Sequence, residues 1–210
     1  YTEKRGNIFI VGENNVTEVT GLPAIYERGQ GGLMDIELHP NFKKNNLIFL
    51  SYASGNRESG GNTAIASAEL LENKLVNLKL LYKGEENTTR GQHFGSRIQI
   101  DNDGYLYFTI GDRGNRDVNP QDLKKDGGKV YRINIDGSIP DDNPFIGSDG
   151  VKKAIYSYGH RNPQGIFLHP KTGKIWTNEH GPRGGDEINI INAGKNYGWP
   201  KITYGINYVG

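Results

Sequence analysis

Apolar residues in this chain come in short runs or alternate with polar ones, and they rarely recur at the three- and four-residue spacings of a helix. Gly or Asn interrupts almost every window of ten residues. The pattern predicts strands at 7–11, 47–52, 63–70, 97–100, 105–110, 129–135, 165–168, 174–178 and 187–191. Strands this short, parted by turns such as Asn102-Asp103-Gly104 and Asp136-Gly137, indicate an all-β fold: an antiparallel sandwich, barrel or propeller.

A repeat separates these architectures. The stretch from Ile98 through Gly104 to Tyr107 and the stretch from Phe167 through Gly173 to Trp176 both read strand, turn, glycine, strand. Ile36 to Pro40, running into Leu47, is a third copy, and Gly6 to Val11 matches the second half of a fourth. Radial repetition of a four-stranded unit is the propeller signature. The spacing exceeds the roughly 40 to 50 residues of a common blade, so the connections are expected to be long, above all 87–95 and 112–128. Long loops gathered on one rim are where a site is built. At this spacing residues 1–210 make a single propeller domain of three to four blades. The chain begins inside a repeat and shows no closing strand at 208–210, so an incomplete ring is expected, because a closed ring leaves no sheet edge bare.

Composition supports this reading. Glycine takes 30 of 210 positions, about twice its usual share of roughly 7%, and Asn takes 22 more, which suits a chain cut by many tight turns. Apolar residues are 34%, but 10% aromatics with 12 Tyr are enough for a folded core. Lys and Arg number 25 against 24 Asp and Glu, a net charge of +1, which argues against a nucleic-acid binder driven by its field. No stretch approaches the roughly 18 apolar residues of a membrane span, and the start Tyr1-Thr2-Glu3-Lys4-Arg5 has no signal-peptide character, so a soluble chain, cytosolic or already processed, is expected. With no Cys there is no thiolate chemistry, and any metal must take oxygen or imidazole ligands. Walker loops, G-x-S-x-G elbows and strand-linked G-x-G-x-x-G runs are absent, which leaves nucleotide binding and serine hydrolysis without support.

Three polar clusters can carry chemistry. His93, between Gly91 and Gly95, is a candidate general base; Asp112 follows the next strand of the same hairpin and is placed to return to the same rim as its orienting carboxylate. A plain loop hydrogen bond is the alternative. The run His160-Arg161-Asn162-Pro163-Gln164-Gly165 reads as a loop between strands in which Arg161 and Asn162 can face a developing oxyanion, or merely pair within the loop. The stretch 178–187, with three glycines, three carboxylates and a proline, suits a hard cation such as calcium, but it lacks EF-hand spacing and equally fits a capped turn. His39 and His169, each before a proline, read as turn residues; Trp176 and Trp199 as packing between blades; and Lys124-Lys125-Asp126 as a solvated loop.

These clusters lie within longer recognisable strings: GQGGLMDIELHP from Gly29, HFGSRIQIDNDGYLYFTIGDRG from His93, GKVYRINIDGSIPDDNPF from Gly128, YGHRNPQG from Tyr158, and EHGPRGGDEINIINAGKNYGWP from Glu179. Through them nearly the whole chain resembles the soluble aldose sugar dehydrogenases that depend on pyrroloquinoline quinone (PQQ), the family that includes soluble glucose dehydrogenase. The resemblance implies a six-bladed β-propeller holding PQQ and calcium (Ca2+) at one rim and oxidising an aldose at C1 to the lactone. It implies that His93 takes the C1 hydroxyl proton, that Asp112 orients it, that Arg161 and Asn162 contact the quinone, and that Gln30 lines the same pocket. The carbonyls of Gly181 and Pro182 would bind the cofactor's calcium, and Glu187 with the Tyr197 carbonyl would match a second, structural calcium. It further implies an aldose sugar partner, an electron acceptor of unspecified identity, and a periplasmic or secreted location.

Two features depart from the family. The last third of the ring, with the basic residues that clamp the quinone carboxylates, has no counterpart after Gly210, and Gln92 stands where the glucose-oxidising branch carries an acid. Sugar preference is therefore not carried over. Two other classes use the same fold, a calcium-dependent lactonase that activates water and a cofactor-free binding propeller. The pairing of His93 with Asp112, beside Arg161 and Asn162, favours the dehydrogenase.

Overall fold

The computed structural model describes residues 1–208; Val209 and Gly210, part of the expected open end, lie outside them. The strands form four antiparallel sheets, each built in chain order. The first holds β1 (Thr2–Glu3), β2 (Asn7–Val11) and β3 (Val16–Val19); the second β4 (Leu33–Leu38), β5 (Leu47–Asn56), β6 (Gly60–Leu71) and β7 (Lys74–Lys83). The third holds β8 (Ile98–Ile100), β9 (Tyr105–Ile110), β10 (Lys129–Asn134) and β11 (Ile155–Tyr158), and the fourth β12 (Pro163–Leu168), β13 (Ile175–Glu179) and β14 (Glu187–Ile190). A single helical turn, α1 (Phe42–Asn45), joins β4 to β5 and stops at Asn46, whose φ of 54° is left-handed.

The first strands of successive sheets are neighbours: β4 lies against β1 and β8, and β8 lies against β12. Each sheet therefore begins near a common axis and builds outward, the geometry of a β-propeller, and the described residues form an arc of four blades. The repeats read from the sequence are the opening hairpins of these blades.

Side-chain alternation places the second and third blades each between two others. In β5, Phe49 faces the third sheet, where it joins Leu106, Phe108 and Tyr131, while Ile48 and Leu50 face the first sheet with Ile8 and Val19. In β9 and β10, Tyr107 and Val130 turn the other way and meet Ile175 and Ile191 of the fourth-blade segment. Central strands buried on both faces have no polar side, which explains why 105–110 reads as a continuous apolar run. Polar links join the inner edges: Asp35 accepts from Arg97 Nη1 (2.8 Å) and from the Ile98 amide (2.9 Å), and Gln99 Oε1 accepts from the Leu168 amide (3.1 Å).

Several expectations need correction. The sequence pattern gives no strand at β1, β3, β7 or β11; β7 runs at a polar outer edge with Leu78 and Leu80 exposed, so its alternation is masked. The second half of the 160–165 run is strand, not loop, because Pro163 opens β12, a position that needs no ladder donor. Asp126 is not in a solvated loop. It is 1% exposed and accepts from the hydroxyls of Tyr82 (2.7 Å) and Tyr131 (2.6 Å) and from the Glu85 amide (2.8 Å), with Lys152 2.8 Å away. Two buried phenols need an acceptor, and this carboxylate supplies it. Trp176 packs within its own blade on Phe167 and His169 rather than between blades. Nδ1 of both His39 and His169 accepts turn amides, from Asn41 and from Lys171 respectively.

Candidate active site

Long connections from three blades meet at one rim: 84–97 between β7 and β8, 111–128 between β9 and β10, and 159–162 between β11 and β12. Arg113 rivets the first two. It is 2% exposed, its guanidinium carbon lies 3.4 Å from the centroid of the Phe94 ring, and it donates to the carbonyls of Gly61, Arg90 and Gln92. Burial lowers its pKa to about 10, partly offset by the charge of Asp112. Gly111 allows the loops to close up, since a Cβ there would lie 2.5 Å from the His93 carbonyl oxygen.

His93 follows Gly91 and Gln92 with a left-handed φ of 55°, a conformation costing a non-glycine residue roughly 1 kcal/mol. Gln30 holds it there, its Oε1 accepting the His93 amide at 2.7 Å. Nδ1 of His93 lies 2.7 Å from Oδ1 of Asp112; the imidazole is 15% exposed and the carboxylate side chain 1%. With Asp112 as the acceptor, the proton of a neutral His93 sits on Nδ1 and the lone pair is left on Nε2. Asp112 also accepts from the Gly114 amide (2.7 Å) and, through Oδ2, from the Trp199 indole (2.9 Å), while its own amide donates to the Arg161 carbonyl (2.7 Å).

Arg161 and Asn162 are brought to the same place. A cavity of about 590 Å³ has Gln30, His93, Arg161, Asn162, Gly181 and Pro182 in its wall. Glu179 fixes this side: its Oε2 accepts the Arg161 amide (2.6 Å) and its Oε1 lies 2.8 Å from His160 Nδ1. Arg161 Nη1 donates to the His180 carbonyl at 3.0 Å, and Asn162 Oδ1 accepts the Gly95 amide at 3.2 Å. Glu179, Arg113 and Trp199 were missed as site residues in the sequence. Trp199 was read as blade packing, but its indole reaches the Asp112 carboxylate.

The expected cation donors fall into two groups. Among the described residues the carbonyls of Gly181 and Pro182 accept no hydrogen bond and border the cavity, a donor set that suits a hard cation shared with a ligand. Glu187 lies beside Glu179, the two bridged by Asn189 Nδ2 at 3.0 Å to each. Burial raises the Glu187 pKa, and the neighbouring Glu179 charge adds to this. The Tyr197 ring stacks on His160 at 4.6 Å, so Tyr197 and Glu187 share the Glu179–His160 pair as neighbours. No cluster of three or more His, Cys, Asp or Glu suited to a metal occurs among the described residues, and no helix there is long and apolar enough to cross a membrane.

The profile of the Glucose / Sorbosone dehydrogenase family matches residues 1–210. Aldose sugar dehydrogenase YliI of Escherichia coli is 43% identical over 194 residues, covering 91% of this chain and 52% of that protein. The crystal structure of the soluble aldose sugar dehydrogenase from Escherichia coli in the apo-form superposes with a TM-score of 0.95 at 41% identity, covering 100% of this chain and 61% of that one. The PQQ-bound form of aldose sugar dehydrogenase from Streptomyces coelicolor gives 0.81 at 30% identity, covering 94% and 57%. The chain spans about half the length of these curated relatives. With the family profile matching residues 1–210 and a relative this similar across nine-tenths of this chain, the chain belongs to the glucose/sorbosone dehydrogenase family.

Proposed function

We propose that this chain is the base-bearing part of a PQQ- and calcium-dependent aldose sugar dehydrogenase that oxidises the sugar at C1 to the lactone. The observation that carries the reading is the 2.7 Å pair of His93 with buried Asp112, opening on a cavity walled by Arg161 and Asn162. Oxidising the hemiacetal carbon to a lactone removes its C1–H hydrogen with both bonding electrons, as a hydride that bound PQQ would accept, and its hydroxyl hydrogen as a proton. His93 Nε2 takes that proton, and Asp112 stabilises the imidazolium that forms. Arg161 and Asn162 bind and orient anionic or carbonyl oxygens across the cavity, and Gln30 keeps His93 aimed by holding its amide. When bound, PQQ supplies the two-electron acceptor and calcium a Lewis acid. The Gly181 and Pro182 carbonyls would hold that calcium, and Glu187 with the Tyr197 carbonyl a structural one. A periplasmic or secreted location accompanies this reading.

The test is an absorbance titration of the calcium-free protein with PQQ and Ca2+, followed by addition of an aldose and an artificial dye as electron acceptor. The parent protein is expected to bind quinone and bleach the dye only when sugar is present. His93→Ala should bind quinone with similar affinity and lose turnover by a factor of about 100 or more. Equal turnover in the variant would remove His93 from the base role.

A further inference from the structure

Trp199 lies in the segment after β14, yet its indole ends inside the His93 site. The main chain holds it: its amide donates to the Gly159 carbonyl at 2.9 Å, and its own carbonyl accepts from Gln121 Nε2 at 2.6 Å. Three loops, 111–128, 159–162 and 191–208, are tied together at this residue, which is 6% exposed.

Each oxygen of Asp112 has its own task. Oδ1 receives His93 Nδ1 and the Gly114 amide, both at 2.7 Å, and Oδ2 receives Trp199 Nε1 at 2.9 Å. A carboxylate gripped at both oxygens cannot turn about its Cβ–Cγ bond without losing a buried partner. The indole N–H therefore sets the plane in which Oδ1 meets the imidazole. The guanidinium carbons of Arg116 and Arg161 lie 4.6 and 5.4 Å from the indole centroid, within reach of a cation–π attraction. One side chain thus touches both the carboxylate behind the base and the arginine facing the cavity.

We infer that Trp199 is a positioning residue with two separable actions: its N–H orients Asp112 and thereby His93, and its ring seats Arg161 against the cavity. The kinetic consequence rests on the dehydrogenase reading; the hydrogen bond itself does not.

Two measurements test this. The chain has only two tryptophans, and the indole nitrogen of the other, Trp176, is buried without a hydrogen-bond partner. In the 15N-labelled full chain, one indole N–H signal should lie downfield and exchange slowly with solvent, disappear in Trp199→Phe, and move in Asp112→Ala while the Trp176 signal stays put. An indole signal indifferent to Asp112→Ala overturns the inference whether or not the protein turns over sugar. In steady-state kinetics, Trp199→Phe keeps a ring and loses the N–H, so kcat should fall about tenfold while quinone affinity and the KM for aldose change less than twofold. Trp199→Leu loses both and should add a several-fold weakening of quinone binding. In an Asp112→Ala background Trp199→Phe should have no further effect on kcat. Unchanged kcat in Trp199→Phe, or an effect that adds to that of Asp112→Ala, refutes the orienting role; unchanged quinone affinity in Trp199→Leu refutes the seating of Arg161.

Discussion

Replacing Asp112 with asparagine changes almost no volume but puts three buried donors before a group with one acceptor. His93 Nδ1–H, the Gly114 amide and the Trp199 indole all point at this side chain. If the amide oxygen keeps the Oδ1 place, its NH2 faces the indole N–H. If it is flipped, the NH2 faces the Gly114 amide and drives His93 to the tautomer protonated on Nε2. In both states at least one buried donor is left unpaired, which costs about 1–3 kcal/mol, and the remaining bonds lose their charge assistance. For a chain of this size each kcal/mol lowers Tm by roughly 2–4 °C, so scanning calorimetry should show a drop of about 2–12 °C. The loss of catalysis is larger, because the flipped amide leaves the imidazole with no lone pair for the sugar hydroxyl and the unflipped one leaves the imidazolium without a counter-charge. Dye reduction should fall by roughly 100-fold to 10,000-fold. Quinone binding, followed by absorbance, should survive. A kcat within threefold of the parent with an unchanged Tm would refute the claim that Asp112 holds the base.

Two further predictions concern buried charge. The Glu187 carboxyl is raised above its ordinary value by burial, so the native state binds its proton more tightly than the unfolded chain does, and that stabilisation fades as pH rises through the raised value. Glu187→Gln should therefore raise the Tm of calcium-free protein at pH 7 and leave it unchanged below pH 4; added Ca2+ should raise the Tm of the parent more than that of the variant, which keeps the Gly181 and Pro182 carbonyls. Equal calcium stabilisation of both would remove Glu187 from the ligand set. Lys129, fully buried with its ammonium donating to the Asn119 and Gly127 carbonyls, has its pKa lowered by burial to about 7. Between that value and the ordinary lysine pKa the unfolded chain binds more protons than the native one, so Tm should climb from pH 7 to pH 9. In Lys129→Met the climb should flatten, and an undiminished slope would contradict the assignment.

The two halves of the site differ in how far the sequence exposed them. His93 and Asp112 flank one hairpin, β8–β9, so their approach follows from antiparallel pairing of neighbouring strands. Arg161, Asn162, Gly181 and Pro182 sit in glycine- and proline-marked strings that stand out on their own. Trp199 gave no such signal, because its partner Asp112 is 87 residues away and nothing local distinguishes a packing indole from one that donates to a carboxylate. The same holds for Asp126, whose Lys-Lys-Asp context reads as solvent-facing although Tyr82 and Tyr131 draw its carboxylate into the core.

Alternation, turn residues and repeat spacing are properties of a few consecutive positions, and they were enough to specify most of the inner strands, the repeated opening hairpins and the propeller class. Tertiary structure decided which face of each strand meets which neighbour, since β5 and β9 are buried on both sides and carry no polar face to orient them. It also decided the bonding around the candidate base: Gln30 on the His93 amide, Trp199 on Asp112, Glu179 on Arg161. The first two join loops of different blades, 63 and 87 residues apart in the chain, and a hydrogen bond depends on distance and direction in space, which no local pattern of residues encodes.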